Sequence, residues 1–112
     1  MDKQEALKLW DKEIGQKEYS YDFAGRKIKR TDFLEKNQVG WVIGFIKPIE
    51  CGGKYYDGNT IIMHHTTNEE KGNNYPEFES LNKKFIIKYD DVEDFYYIEK
   101  IITSDYDESG FI

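Results

Sequence analysis

The chain has 112 residues and a formal net charge of −6 at neutral pH, with 38% hydrophobic and 16% aromatic residues. This length suffices for one domain with a modest hydrophobic core. No apolar run approaches the roughly 20 residues that a membrane-spanning helix needs, and the N-terminus lacks the apolar region of a signal peptide. The composition therefore predicts a cytoplasmic protein that does not bind membranes.

The first 40 residues predict one helix and one hairpin. Leucine, tryptophan and isoleucine recur at helical spacing in residues 3–14, which predicts a helix that ends at Gly15. Residues 19–28 predict a short hairpin with an alanine-glycine turn. Residues 31–36 predict a helical turn capped by Thr31.

The middle of the chain alternates between strand and turn signals. Residues 39–46 predict a strand that ends before a proline and a Gly-Gly turn. A second, shorter strand is predicted at residues 61–63, followed by a helix from residue 66 or 67 to residue 71 that stops at Gly72. Residues 84–89 and 94–102 alternate between two faces and predict a hairpin.

These elements predict an α+β fold with an N-terminal helix, a ββα unit and a C-terminal antiparallel hairpin. We expect a single domain over residues 1–102 and an acidic, flexible tail at residues 103–112. No internal repeat or low-complexity segment divides the chain.

One spaced pattern runs through residues 21–27 and 40–76. A strand ending in Gly-Phe-Ile-Lys-Pro is followed by a Gly-Gly turn, by Asn59, by Asn68 nine residues later and by Lys71 with a glycine behind it. This pattern resembles the HNH endonuclease (ββα-metal) family, and the resemblance covers roughly half the chain. The residues from 40 onwards would form the ββα unit of that family.

The resemblance implies a site from which the catalytic pair is missing. Family members carry an aspartate that holds a divalent metal and a histidine that activates water at the positions of Gly44 and Phe45. The resemblance assigns Asn59 to bracing the turn and Asn68 to the metal, with Lys71 following. One neutral amide is a poor magnesium or manganese ligand. We therefore expect a vestigial site without catalysis, bound metal or cofactor.

Phe45 carries a second prediction. Successive side chains of a strand point to opposite faces, so Phe45 shares a face with Ile43 and Gly44 lies on the other. We expect the phenyl ring to fill the cleft with apolar volume where a hydrated ion would sit.

The cysteine and histidine content argues against zinc. Cys51 is the only cysteine, so neither an intrachain disulfide nor a four-cysteine site can form. HNH relatives with a Cys-x-x-Cys begin it at the position of His64. We expect one of His64 and His65 to pack at the strand-to-helix junction and the other to be exposed. A relocated metal site of His64 with Glu50 or Asp57 stays an open alternative.

The charge is concentrated near the end of the chain. Residues 90–112 contain eight acidic residues and one lysine, and this imbalance makes the domain poorly suited to DNA. This acidic segment is either solvated surface or a patch for a basic protein. The basic cluster is either a solvated turn or a phosphate-contacting hairpin. The basic residues are Arg26, Lys27, Lys29 and Arg30, and the predicted partner-binding acids are Asp90, Asp91, Glu93, Asp94, Asp105, Asp107 and Glu108.

Three functions follow from these observations. The first is a catalytically inactive HNH-like protein that binds a protein partner as an inhibitor or regulator. By analogy it would be encoded by a phage or mobile element and directed at a host defence system or nuclease. The alternative is a divergent DNA endonuclease with relocated ligands and weakly bound magnesium or manganese. The third is nucleic-acid binding without cleavage through residues 26–30, although we do not expect nucleic acid as the main ligand.

Overall fold

A computed structural model describes residues 1–102, which form two α-helices and seven β-strands in three antiparallel sheets. The predicted α+β fold is confirmed, whereas the tail predicted at residues 103–112 lies outside the described residues. Within residues 1–102, no helix is long and apolar enough to cross a membrane. In chain order the elements are α1 (Lys3–Glu13), β1 (Tyr19–Tyr21), β2 (Lys27–Lys29), β3 (Trp41–Phe45), β4 (Thr60–His64), α2 (His65–Lys71), β5 (Glu77–Ser80), β6 (Lys83–Asp90) and β7 (Phe95–Lys100).

Helix α1 forms where it is predicted and supplies part of the first hydrophobic core. The side chain of Asp2 accepts a hydrogen bond from the backbone of Glu5, and the Glu5 side chain accepts one from the backbone of Asp2. This capping box fixes the start of the helix. Trp10 is fully buried, with its ring centroid 5.0 Å from that of Trp41, which in turn lies 4.9 Å from Phe33. The aromatic cluster seats α1 on β3.

The predicted β1–β2 hairpin is confirmed, and a buried aspartate organises its turn. Asp22 Oδ1 accepts hydrogen bonds from the backbone amides of Ala24, Gly25 and Arg26 at 2.9–3.0 Å. Gly25 has a φ of +105°, which favours glycine in this turn. The other carboxylate oxygen accepts from the backbone amide of His64 at 3.0 Å. Asp22 therefore joins the hairpin to the beginning of α2.

The two strands and the helix of the ββα unit also form where they are predicted. Strands β3 and β4 pair antiparallel, with Trp41 opposite His64 and Phe45 opposite Thr60. Helix α2 follows β4 without an intervening loop and ends at Gly72, whose φ is +53°. The long connection between β3 and β4 contains two short 3₁₀ turns.

A three-stranded sheet completes the fold. The predicted C-terminal hairpin is β6–β7, and β5, which was not predicted, pairs with the other edge of β6. Phe23 from the β1–β2 turn packs edge-on against Phe78 and Phe85 at centroid distances of 5.9 and 5.1 Å. This second core holds the hairpin, the ββα unit and the sheet together. Its buried residues are Ala24, Ile46, Phe78, Phe85 and Ile87.

The helical turn predicted at residues 31–36 is wrong. Phe33 instead forms an isolated parallel bridge with Trp41, and its ring is buried against the tryptophan. The hydroxyl of Thr31 donates to the side chain of Asp32 at 2.8 Å and caps no helix. Burial of the phenyl ring against β3 outweighs the local capping signal here.

Candidate functional site

A cleft of about 300 Å³ opens between the end of β3 and helix α2, where the family resemblance places a metal. Gly44 and Phe45 line it from β3, and Asn68 lines it from α2. Glu50 and Asn73 border the same cleft from the segments that follow the strand and the helix. The structure thus brings together both positions at which the resemblance implies a catalytic pair and the asparagine predicted as a ligand.

Gly44 faces Asn68 so closely that a larger residue does not fit without rearrangement. A Cβ atom added at Gly44 would overlap Cε of Met63 and lie 2.9 Å from Oδ1 of Asn68. A metal-binding aspartate at this position would have to displace the terminal methyl group of Met63 and shift the Asn68 amide. Asn68 is itself exposed at the cleft.

The prediction that Phe45 fills the cleft is wrong, because the cleft beside Asn68 is open. Side chains alternate along β3, so it is Gly44 that faces Asn68. The Phe45 ring packs edge-on against Tyr55 with 5.5 Å between centroids. Phe45 borders the cleft while supporting a tyrosine on the following loop.

Asn59 has the geometry of the brace that the resemblance implies. Its side chain is fully buried and makes three hydrogen bonds to the β3–β4 connection. Oδ1 accepts from the amide of Lys47 at 2.7 Å, and Nδ2 donates to the carbonyls of Lys47 and Lys54 at 3.0 and 2.9 Å. These bonds close the loop from residue 47 to residue 54 onto the start of β4.

Lys71 is buried and does not line the cleft. Its Nζ donates to the backbone carbonyl of Phe45 at 3.0 Å and lies 5.5 Å from the ring centroid of Phe78. Burial lowers the pKa of Lys71 from 10.5 to about 8, an effect partly opposed by the nearby Cys51. Lys71 therefore ties α2 to the end of β3 and leaves the cleft without its charge.

His64 caps helix α2 through its ring. Nδ1 accepts the backbone amide of Thr66 at 2.9 Å, so the ring proton resides on Nε2, which donates to the carbonyl of Gln38 at 3.0 Å. Burial lowers the pKa of His64, which favours this neutral form. The predicted packing of one histidine at the junction is confirmed. The predicted exposure of the other is wrong, because His65 is half-buried and its Nε2 donates to the carbonyl of Asn37 at 2.7 Å.

The structure does not bring together the alternative metal site of His64 with Glu50 or Asp57. Both ring nitrogens of His64 are occupied, and only Glu50 of its two proposed partners borders the cleft. Asp57 lines a separate cavity between α1 and β7. Among residues 1–102, no three histidine, cysteine, aspartate or glutamate side chains come close enough to hold a metal ion.

Arg26, the first member of the basic cluster, is used inside the fold. Its Nη1 donates to Oγ1 of Thr67 at 3.0 Å, to Oε1 of Glu70 at 2.9 Å and to Oγ of Ser80 at 3.1 Å. Hydrogen bonds from Arg26, Ser80 and a backbone amide lower the pKa of Glu70 to about 2. The guanidinium joins the β1–β2 turn to α2 and β5 and does not face solvent as a phosphate contact would.

The other three basic residues are engaged as well. Arg30 forms a bidentate pair with Asp11, with N–O distances of 2.9 and 3.0 Å. The ammonium groups of Lys27 and Lys29 lie 4.5 and 5.6 Å from the ring centroid of Tyr19. These contacts favour the solvated-turn interpretation over a phosphate-binding hairpin.

The predicted acidic patch divides into turn-forming and exposed residues. Asp90 accepts hydrogen bonds from two backbone amides of the β6–β7 turn. Asp94 accepts from the hydroxyls of Tyr56 and Tyr89, two residues that the sequence analysis did not single out. The other acids of this turn, Asp91 and Glu93, are exposed. The remaining predicted acids, Asp105, Asp107 and Glu108, lie outside the described residues.

The chemistry that the cleft offers is limited to one carboxylate and neutral amides. Glu50 Oε1 accepts a hydrogen bond from Asn73 at 2.8 Å, and the Asn68 amide lies across the cleft. This set would bind a hard cation such as magnesium only weakly, because such ions are usually held by several carboxylates and phosphates. Comparison of the chain with protein-family models, with curated proteins and with solved structures finds no match.

Proposed function

We propose that this chain is a catalytically silent relative of the HNH nucleases that acts by binding another protein, as an inhibitor or regulator. The observation that carries this proposal is that Gly44, which has no side chain to bind a metal, faces Asn68 across the cleft. A side chain at this position would have to displace the terminal methyl group of Met63. The neighbouring Phe45 has no proton acceptor with which to activate water.

Charge supports a protein partner with a basic surface. The chain has a net charge of −6, and both arginines of its basic cluster are paired with carboxylates. Asp91 and Glu93 are exposed on the β6–β7 turn and can meet a basic surface. By analogy with the HNH family we place the protein in the cytoplasm of a bacterial cell, encoded by a phage or mobile element and directed at a defence system or nuclease.

A divergent metal-dependent endonuclease is the second candidate, and the position of Glu50 favours it. This carboxylate borders the same cleft as Asn68, so the two could hold magnesium or manganese with phosphate oxygens of a substrate. Nucleic-acid binding without cleavage ranks third because Arg26 and Arg30 are engaged within the fold.

A plasmid-nicking assay distinguishes a protein without nuclease activity from a divergent endonuclease. We expect no nicking of supercoiled DNA with magnesium, manganese or nickel, while a known HNH nuclease cuts under the same conditions. Nicking by the wild type that Glu50→Gln and Asn68→Ala abolish would replace our proposal with the second candidate. Salt-sensitive DNA retention without nicking would support the third.

Charge reversal tests the binding proposal. The double variant Asp91→Lys, Glu93→Lys reverses two exposed charges on the β6–β7 turn. The control Glu18→Lys, Glu35→Lys makes the same change in net charge at exposed positions elsewhere. We expect affinity capture from a bacterial lysate to recover a protein with wild type and control, and to lose it with the turn variant and at high salt. Equal recovery with both variants would remove the acidic turn from the proposal.

A further inference from the structure

A second cleft, of about 430 Å³, lies between the β3–β4 connection and the C-terminal hairpin. Four tyrosine rings line it, together with one carboxylate and one lysine. Two of the rings come from the connection and two from β6 and β7. The lining side chains are Lys54, Tyr55, Tyr56, Tyr89, Asp94 and Tyr96.

Asp94 holds the tyrosine hydroxyls in place. Its Oδ1 accepts from Tyr89 at 2.7 Å and from Tyr56 at 3.1 Å. The hydrogen bond from the hydroxyl to Asp94 raises the pKa of Tyr89 to about 12. Within residues 1–102, the second oxygen of Asp94 receives no hydrogen bond, and the residue is exposed.

The rings are supported from behind and from the side. Tyr55 is 69% exposed, yet its ring is held edge-on by Phe45. Tyr89 and Tyr96 are cross-strand partners with ring centroids 4.7 Å apart. A wall of rings that already contact other side chains loses little conformational entropy when a ligand binds.

We propose that this cleft, called here the tyrosine cleft, takes an arginine side chain of the protein partner. The inference rests on the proposed function, because it names the chemistry of the partner at one point of contact. Tyrosine faces attract cations, and Asp94 offers a carboxylate oxygen beside them. A guanidinium can stack on a ring and donate to a carboxylate at once, which suits arginine better than lysine.

Two lysines of the chain bear on this proposal. Nζ of Lys47 lies 5.8 Å from the ring centroid of Tyr96, so an incoming guanidinium competes with this lysine at that ring. Lys54 lines the cleft, is exposed and repels an incoming guanidinium. Removal of the Lys54 charge should therefore strengthen binding, in the direction opposite to removal of the Asp94 charge.

The proposal is tested with short blocked peptides and amide NMR spectra of the full chain. One peptide contains arginine between glycines, and its control contains citrulline, the neutral isostere of arginine. We expect the arginine peptide to shift amides of residues 54–56 and 89–96, and the citrulline peptide to leave them in place. Equal shifts with both peptides, or no shift with arginine at millimolar concentration, would overturn the proposal. Tetramethylammonium that binds as tightly as the arginine peptide would also overturn it, by assigning the cleft to small cations.

Two variants assign the effect to the tyrosine cleft. Asp94 has a φ of +59°, a conformation that asparagine tolerates, so Asp94→Asn keeps the turn and removes the charge. We expect it to weaken the arginine peptide roughly tenfold, the factor of one charged hydrogen bond. Lys54→Gln should strengthen binding roughly two- to threefold, as expected for an exposed charge pair. If both variants bind the peptide with unchanged affinity, the peptide binds outside the tyrosine cleft and the proposal is overturned.

The peptide assay and the nicking assay fail independently. A tyrosine cleft that ignores arginine, on a protein that does not nick DNA and still captures a partner through the acidic turn, would remove this inference alone. Nicking that depends on Glu50 would remove the proposed function and leave the peptide result as a separate property.

Discussion

The ring of Phe45 packs edge-on against the ring of Tyr55, with 5.5 Å between their centroids. Phe45 occupies the position where the HNH resemblance places a catalytic histidine, and Tyr55 lines the tyrosine cleft. One side chain therefore both stands at the position of the implied histidine and supports this second cleft. This contact gives the phenylalanine a structural role of its own, separate from the absence of a histidine.

An aspartate at position 44, where the HNH resemblance implies one, should destabilise the protein. In Gly44→Asp the new side chain must displace Cε of Met63 and approach Oδ1 of Asn68. We expect the free energy of unfolding to fall by about 1 kcal/mol, at the low end for an overpacked site, because both atoms are the ends of flexible side chains. Gly44→Ala, which adds the Cβ without the charge, should cost less. Urea unfolding would contradict the packing argument if Gly44→Asp cost as much in a Met63→Ala background as in the wild type.

The two asparagines of the motif should differ sharply in their effect on stability. Asn59→Ala removes three hydrogen bonds from a fully buried side chain, and we expect a loss of about 3 kcal/mol in urea unfolding. Asn59→Asp should be no better, because two of its bonds are donated to carbonyls. The exposed Asn68 serves as the control, and Asn68→Ala should change stability by less than about 0.5 kcal/mol. Similar losses of stability at both positions would contradict the assignment of Asn59 as the brace of the β3–β4 connection.

Stability should rise with pH above neutrality because of Lys71. Its pKa is 10.5 when exposed and about 8 in the folded protein, so the unfolded chain binds more protons between these values. We expect the free energy of unfolding to gain about 1–2 kcal/mol between about pH 7.5 and about pH 9.5. Lys71→Met should abolish this gain, and Lys84→Met, at an exposed lysine, should keep it. An unchanged slope in Lys71→Met would contradict the assignment.

Acid should release the contact between Glu70 and Arg26. The pKa of Glu70 is lowered from 4.5 to about 2, so its stabilising effect is complete above the unfolded value and is lost as the pH falls towards 2. Because its side chain is 39% exposed, solvent screening limits the effect to about 1 kcal/mol. Thermal unfolding at several acidic pH values should show that Glu70→Gln flattens this dependence. The exposed neighbour provides the control, and Glu69→Gln should leave the dependence unchanged.

Elements with a local signal could be predicted from the sequence. Hydrophobic spacing predicted α1, a glycine-containing turn separated β1 from β2, and alternating apolar residues predicted the β6–β7 hairpin. Strand β5 was missed because Glu77, Glu79 and Ser80 leave Phe78 as its one large apolar residue. It exists because Phe78 packs against Phe85 of β6 and Phe23 of the β1–β2 turn, contacts that no local pattern contains.

The sequence predicted most of the residues near the candidate site, but only part of the arrangement of their side chains. The HNH resemblance implied a brace for Asn59 and a metal ligand at Asn68, and the structure has Asn59 buried as a brace and Asn68 at the cleft. The role of His64 as a helix cap depends on Gln38, 26 residues away, and could not be read from the sequence. The predicted position of the Phe45 ring was wrong because its packing partner, Tyr55, lies on a loop whose path could not be predicted from the sequence.

The three hydrogen bonds of Arg26 link segments that are far apart in the sequence, so these segments are not expected to fold separately. Its guanidinium reaches Thr67 and Glu70 in α2 and Ser80 in β5, while Phe23 beside it packs into the C-terminal sheet. Excision of residues 40–76, the stretch that carries the HNH-like pattern, would leave Ile46 and the buried face of α2 without their packing partners. We therefore expect the ββα segment not to fold by itself. A chimaera that carries it into another protein would also need the β1–β2 hairpin and the β5–β6–β7 sheet.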